Sequence, residues 1–484
     1  MTKPQRSSLA KTQPTLSSSS LVRPKSAVRS SRAERRVQGK SLREKCPRSS
    51  QAEWKPRSKS QDPIKLLEES DIDRIPGLVP VKYQRMAESP FKFFRGAAII
   101  QARDLANSPA SGIIVHGCGD CHLMNFGGFA SPERTLVFDI NDFDETFPAP
   151  WEWDVKRLAA SLVLAARDLS FSKTTAEEAV HAAAAAYRQR MAEFSELTLL
   201  QAWYAEITID SLKEHFRNDP DALARLSKSQ KQARSRTSEA VIPKLTEVVD
   251  GHWKIKDEPP VLYHVDGFTR GFEKQNAQFI EEYKQSLQVD RRHLFERYQY
   301  QDSAVKVVGV GSVGTRCYVG LFLAGDDDPL FLQTKEARRS VLESPHGKSR
   351  YDNQGFRVVE GLRVMQAASD IFLGWFSTGQ HDYYVRQFRD MKITAEIEMF
   401  KPRTLLAYAD MCGWALARAH AKAGDAAMIA GYLGSNDQFD TALAKYAKAY
   451  ADQAERDFEL FQRAIRCGRL STEPAKDADL AFLL

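Results

Sequence analysis

The stretch Gly119-Asp120-Cys121-His122-Leu123-Met124-Asn125, followed by Asp139-Ile140-Asn141-Asp142-Phe143-Asp144, decides how this sequence is read. A carboxylate two residues before a His and five before an Asn, on a loop between strands, suits phosphoryl transfer. Asp120 is placed to orient or deprotonate a hydroxyl with His122 beside it, and Asn125 offers an amide oxygen to a cation. Mg²⁺ prefers hard oxygen ligands, one or two carboxylates plus phosphate. Asp142 and Asp144, ending the next apolar run, complete such a set. A glycine-rich turn capped by Asp and Asn is the plain alternative, and the second carboxylate cluster weighs against it.

Working outward, Ile113-Ile114-Val115 reads as a buried strand entering the loop at Gly117 and Gly119. Thr135-Leu136-Val137-Phe138 gives the strand that ends in the carboxylates. Residues 153–169 form an amphipathic helix whose Asp154 either sits in the field of the helix N-terminus or props the loop. Thr174, three residues before Glu177, signals a capped helix running toward Leu199. Residues 199–300 read as helical and charged, and 200–250 are where an acceptor would dock. Cys118 and Cys121 before His122 have haem-attachment spacing, which needs export. The same thiols at zinc or redox spacing lack a second Cys/His pair, so they are read as loop packing.

The texture changes at Ala304. A β-branched run leads to Gly309-Val310-Gly311-Ser312-Val313-Gly314. A dinucleotide fingerprint requires a helix directly after the glycines, whereas Thr315-Arg316-Cys317-Tyr318-Val319 reads as strand. Strand, glycine loop, strand is the arrangement that covers nucleotide phosphates. Gly309, Gly311, Ser312 and Gly314 then face phosphate, and Lys335, on the next strand past an Asp326-Asp327-Asp328 turn, reaches it. Glu360, in a helix over 353–369, is a partner for that lysine, with Glu336 and Glu343 as competitors. Residues 383–388 form a strand carrying Gln387, and 404–421 a helix apolar nearly all round, hence buried.

At these residues the sequence resembles the aminoglycoside-phosphotransferase branch of the protein-kinase-like superfamily. More closely it resembles the bacterial domain-of-unknown-function family 2252, over about Val81 to Gly468. That resemblance rests on Ser89-Pro90-Phe91 with Phe94-Arg95-Gly96, Gly119-Asp120-Cys121-His122 with Asn125-Phe126-Gly127, Asn141-Asp142-Phe143-Asp144-Glu145, the string from Lys306 to Thr315, Leu332-Gln333-Thr334-Lys335-Glu336-Ala337 and Tyr384-Val385-Arg386-Gln387. It implies an α+β, protein-kinase-like two-lobe fold with a large helical lobe and a small antiparallel-sheet lobe. It implies ATP and Mg²⁺ as cofactors and Asp120 as the catalytic aspartate. Asn125 and Asp142 become metal ligands, shared by Asp144, which stands where kinases have glycine. Lys335 matches the phosphate-pairing lysine, and Gln387 falls near an adenine-contacting hinge. In kinases the glycine loop comes first; here it follows the catalytic loop by almost 200 residues, so a circular permutation is implied.

Composition bounds the rest. The 484 residues are 43% hydrophobic, enough for a large core. No apolar run is long enough to span a bilayer, and the Arg- and Ser-rich start has no apolar signal region. Six scattered cysteines fit a reducing cytoplasm. Of 69 Lys and Arg, 16 lie in residues 1–60 against three Glu, leaving 53 basic and 60 acidic residues in the body. The expected organisation is a disordered basic tail (1–61), a catalytic-loop and helical part (62–300), a glycine-loop sheet (301–390), closing helices (391–470) and a frayed end (471–484). The expected activity is ATP/Mg-dependent phosphoryl transfer to a small-molecule hydroxyl. AMP transfer and a nucleotide-binding pseudo-enzyme are the alternatives. Nucleic acid or an anionic surface enters only through the basic tail.

Overall fold

In the computed structural model the apolar run before the loop is strand β1 (Ile114–Gly117). The structure describes residues 30–473 except 56, 58–61, 236–237, 260, 265–267, 308, 326–327, 344–348 and 389–390. Between β1 and its antiparallel partner β4 (Phe147–Pro150) lie β2 (Phe126–Ala130) and β3 (Leu136–Ile140), themselves antiparallel. The 118–125 loop therefore runs from β1 to β2, and the 142–145 carboxylates from β3 to β4.

The helix Trp151–Asp168 leaves β4 directly and is buried from Trp151 to Ala166. It packs with the helices Lys173–Glu196, Pro402–Ala423 and Gln438–Arg466. The Pro402–Ala423 helix crosses Lys173–Glu196 so closely that a Cβ on Gly413 would lie 2.2 Å from the Ala183 carbonyl oxygen. Alanines and that glycine set the spacing, and larger residues would force the helices apart. The cap of Lys173–Glu196 is Ser172, whose hydroxyl accepts from Thr175 N at 3.0 Å, and not Thr174 as the sequence pattern suggested. Ser172 fits because it holds extended backbone outside the first turn.

Residues 246–263, expected helical, contain strands. A hairpin joins β5 (Thr246–Val249) to β6 (His252–Ile255) through Asp250 and Gly251, with φ of 51° and 78°. Asp-Gly is the pair that two-residue hairpins favour, because both turn residues need positive φ. Strand β7 (Leu262–Tyr263) then opens a six-stranded antiparallel sheet with β8 (Gln299–Lys306), β9 (Cys317–Leu323), β10 (Pro329–Ala337), β11 (Gly374–Ser377) and β12 (Asp382–Gln387), in the order β11-β12-β10-β9-β8-β7. Alternation along β10 sends Phe331 to a cluster with Leu245 and Ile255, and Leu330 and Leu332 to one with Tyr283 and Phe295. Both faces are thus covered. A short β13 (Ile393–Thr394) returns to pair with β2. The chain is α+β, a helical part beside antiparallel sheets.

Residues 30–55, expected to be disordered, are ordered against the C-terminal helices. Ser31 caps the helix Arg32–Ser41 through a reciprocal capping box with Glu34, and this helix lies along Ala426–Leu433. Arg43 donates to the Gly431 and Tyr432 carbonyls, and Arg48 to the Leu433 carbonyl. Arg57 pairs with buried Asp104 at 2.7 Å. Arg43 and Arg48 satisfy the open carbonyls at a helix C-terminus, a role that composition alone does not reveal. Residues 1–29, 474–484 and most of the Asp326–Asp328 turn lie outside the described residues.

Candidate active site

One face of the Trp151–Asp168 helix holds the 118–125 loop at three successive points. Asp154 accepts from Cys118 N at 2.8 Å and Gly119 N at 2.9 Å. Arg157, one turn on, donates from Nε to Asp120 Oδ1 at 2.8 Å and from a terminal nitrogen to the same oxygen at 2.7 Å. Ser161, one turn further, accepts from Leu123 N at 3.0 Å. The spacing i, i+3, i+7 is one stripe of a helix, and it fixes both the backbone and the carboxylate of the loop. Gly119 has φ 85°, and a Cβ there would lie 2.2 Å from the Glu145 carbonyl oxygen, so the loop closes only on glycine.

The other loop groups follow from this anchoring. Asn125 Nδ2 donates to the Asp120 carbonyl at 2.7 Å, leaving Oδ1 with no protein donor among the described residues. His122 is buried, and burial together with Arg95 and Arg157 pushes its imidazole well below the usual range, so it is neutral. Its Nε2 lies 3.7 Å from Asp120 Oδ2, and its Nδ1 is buried without a partner. Burial raises the Asp120 carboxyl, and Arg157 opposes that shift.

Cys118 and Cys121 lie beneath the loop, 1% and 0% exposed, where no haem can reach them. Their sulfurs and an Asp154 oxygen fall within 4.8 Å of one another. Asp154, however, is engaged by two backbone N–H groups and by His420 Nε2 at 3.2 Å. Burial pushes the Cys121 thiol up to about 11.

The three aspartates in and after β3 separate cleanly. Asp139 is fully buried and receives Arg418 at 2.8 and 2.9 Å and Ala367 N at 2.7 Å. It ties β3 to the Pro402–Ala423 helix. Asp144 accepts from Lys335 Nζ at 2.6 Å, the Tyr384 hydroxyl at 2.6 Å and Ser312 Oγ at 3.3 Å. Burial alone would raise its carboxyl, but Lys335 and Tyr384 hold it down at about 2. Asp142 accepts Asp144 N at 3.3 Å and forms no ion pair among the described residues. Burial and the adjacent Asp144 raise its carboxyl. Asn125, Asp142 and Asp144 are hard oxygen donors at one place, two of them under-partnered, and they could hold Mg²⁺.

The glycine loop spans the β8–β9 hairpin, as its flanking residues suggested. Gly309 and Gly314 have φ of 63° and 86°. Arg74 donates to the Val313 carbonyl at 2.5 Å, Arg85 to that of Gly309 at 2.5 Å, and Ile75 N to that of Gly314 at 2.8 Å. Loop and carboxylates face one cavity of about 850 Å³, whose wall includes Asp120, His122, Asn125, Asp142, Asp144, Gly309, Gly311 and Ser312. Gly314, Glu360 and Gln387 are not on that wall, and Lys335 meets it through Asp144.

The expected pairing of Lys335 differs. The partner of Lys335 is Asp144 and not Glu360, which turns to Arg350 at 3.4 Å. Asp144 wins because it reaches the lysine from the facing loop, whereas Arg350 draws Glu360 away. Glu336, a competitor, is held by Arg316 at 3.2 Å and His381 at 3.4 Å. Gln387 lies opposite Leu332 in the sheet, its N–H directed to Asp370. No described residue of 200–250 lines the cavity; its wall also includes Glu69, Asp73, Arg74, Arg95 and Arg103.

A family model described as an uncharacterized protein conserved in bacteria (DUF2252) matches residues 74–464. The chain belongs to this family. No curated protein and no solved structure matches it. The matched span of this DUF2252 chain includes every residue of the cavity wall except Glu69, Ser70, Ile72 and Asp73. Sequence reasoning missed several DUF2252 residues that shape the site. Arg357 is fully buried and donates to the Thr146, Asp144 and Arg338 carbonyls, clamping the carboxylate loop. The Tyr408 hydroxyl donates to the Leu123 and Phe126 carbonyls at 3.1 and 2.9 Å. Only Arg157 carried a signal, its i+3 spacing from Asp154.

Proposed function

We propose that this chain is an ATP- and Mg²⁺-dependent phosphotransferase acting on a hydroxyl of a small molecule, with a kinase-like two-lobe arrangement in circularly permuted order. The observation that carries the reading is a single cavity whose wall holds Asp120, Asn125, Asp142 and Asp144 together with Gly309, Gly311 and Ser312, with Lys335 bound to Asp144 at 2.6 Å. Chemistry of this kind needs positioning and charge neutralisation more than covalent participation. Asn125, Asp142 and Asp144 would hold Mg²⁺, which when bound neutralises phosphate oxygens. Lys335 and the N–H groups of the glycine loop hold the nucleotide phosphates, and Asp120 orients the acceptor hydroxyl and takes its proton.

Two packing features support the rotated order. The Pro402–Ala423 helix, late in the chain, supports the catalytic loop through Tyr408. The segment around Arg43 and Arg48 lies against residues 431–438, so an early and a late segment of the chain are neighbours, as a permutation requires.

The test is nucleotide turnover with MgATP and a panel of small hydroxyl compounds, with product identity recorded. ADP formation that Asp120→Asn reduces about 100-fold or more supports the reading. ADP formation unchanged in Asp120→Asn sinks it, pyrophosphate release replaces it with AMP transfer, and nucleotide binding without turnover replaces it with a pseudo-enzyme.

A further inference from the structure

The sequence places Ser89-Pro90 at the start of a short helix, Pro90–Gly96, with the Ser89 hydroxyl accepting from Lys92 N at 3.2 Å. That helix buries Phe91, Phe93 and Phe94 in the core and leaves Arg95 on the cavity wall. The Arg95 carbonyl oxygen is 3.3 Å from where a Cβ on Gly311 would stand, so this residue abuts the glycine loop. On its other side its guanidinium lies in the field of Asp120 and of the exposed Glu398.

What sets Arg95 apart on this wall is burial without a hydrogen-bond or ion-pair partner among the described residues. Its guanidinium leans toward the Phe91 ring at 5.7 Å, makes no hydrogen bond or ion pair among the described residues, and its Nε is buried and unsatisfied. Of the other arginines on this wall, Arg339 is exposed to solvent and three are committed. Arg74 pairs with Asp71 at 2.8 Å, Arg103 with Glu69 at 2.5 Å, and Arg338 donates to the Ser70 carbonyl at 2.8 Å. Asp120, the acid that faces Arg95, is already bound by Arg157. A mostly buried cation with no direct ion pair is costly. At the edge of a polar cavity, the arrangement that removes this cost is an anion in the cavity, and a guanidinium suits phosphate oxygens in particular.

We infer that Arg95 binds the terminal, transferred phosphoryl group of the nucleotide. The inference rests on the phosphotransferase reading and adds to it a residue outside the catalytic-loop, carboxylate and glycine-loop motifs. In the transfer, the acceptor oxygen forms a bond to the terminal phosphorus and its proton passes to Asp120. The bond from that phosphorus to the bridging oxygen breaks, and ADP leaves with the electron pair. Arg95 donates to the non-bridging oxygens throughout, and it lies where the phosphoryl group must travel, between Gly311 and Asp120.

The experiment is a pair of titrations of the full chain, with MgATP and with MgADP, on wild type, Arg95→Ala and Arg95→Lys. The wild type is expected to prefer MgATP. Arg95→Ala is expected to weaken MgATP about 10-fold while leaving MgADP unchanged, and Arg95→Lys to recover part of the loss. Because Arg95 has no hydrogen-bond or ion-pair partner among the described residues, its truncation leaves none of them unsatisfied, and MgADP affinity reports that the site is intact. Equal losses for both nucleotides, or an undiminished preference for MgATP, overturn the role of Arg95 and leave the phosphotransferase reading standing. A wild type that binds neither nucleotide overturns both.

Discussion

Asp139 and Asp142 stand three residues apart in the sequence and answer to opposite demands. Asp139 is wholly buried, its two oxygens taken by Arg418 and the Ala367 N–H. Asp142 is half-buried, faces the cavity, and has one long hydrogen bond from Asp144 N. Both end an apolar run, and neither the type nor the spacing of the residues tells them apart. Their partners do. A carboxylate saturated by the fold stabilises it, whereas one that the fold leaves open is free to take a cation. Asp144 stands between the two. It is bound by Lys335, Tyr384 and Ser312, and it joins the helical part to the sheet at the cavity.

The contrast can be broken most forcefully at Asp139. Asp139→Ala leaves Arg418 charged and buried without its partner and is expected to cost about 3–5 kcal/mol in urea unfolding. A loss under about 1 kcal/mol would mean that the Asp139–Arg418 pair is not what ties β3 to the Pro402–Ala423 helix. Arg157→Met sharpens the comparison from the side of Asp120. Arg157 favours the charged carboxylate, so its removal raises the Asp120 carboxyl further and moves the acid limb of the activity profile to higher pH. An acid limb left in place would separate Asp120 from the rate-determining proton transfer. The smallest effect belongs to Glu360→Gln, whose Arg350 partner is largely exposed. Stability within about 0.5 kcal/mol of wild type and unchanged nucleotide affinity are expected. A substantial loss of affinity would restore Glu360 to the site.

What was legible in the sequence was what local chemistry dictates. Gly119 to Asn125, the Asp142 and Asp144 pair and the glycine hairpin with Ser312 meet at one cavity, because each is a short segment whose turns and strands are set by its own residues. What was not legible depends on partners far along the chain. Arg357 clamps the carboxylate loop from 211 residues away, and Arg418 meets Asp139 from 279 residues away. Lys335 pairs with Asp144 across 191 residues, so the expected Glu360 pairing failed despite plausible spacing. The Asp250-Gly251 hairpin was readable from its own dipeptide and was obscured by the charged, helix-like run around it. Residues 30–55 look like a solvated basic tail until the carbonyl-rich end of Ala426–Leu433 is brought against Arg43 and Arg48.

The most direct measurement is the affinity for ATP, with and without Mg²⁺, of wild type and Asp142→Asn, with unfolding followed on the same samples. The account predicts that Asp142→Asn unfolds like wild type without ligand, because no ion pair is lost. It predicts that the variant loses the Mg²⁺-dependent part of ATP binding, by about 10-fold or more. Equal Mg²⁺-dependent binding by both proteins, or no ATP binding by the wild type, would contradict it.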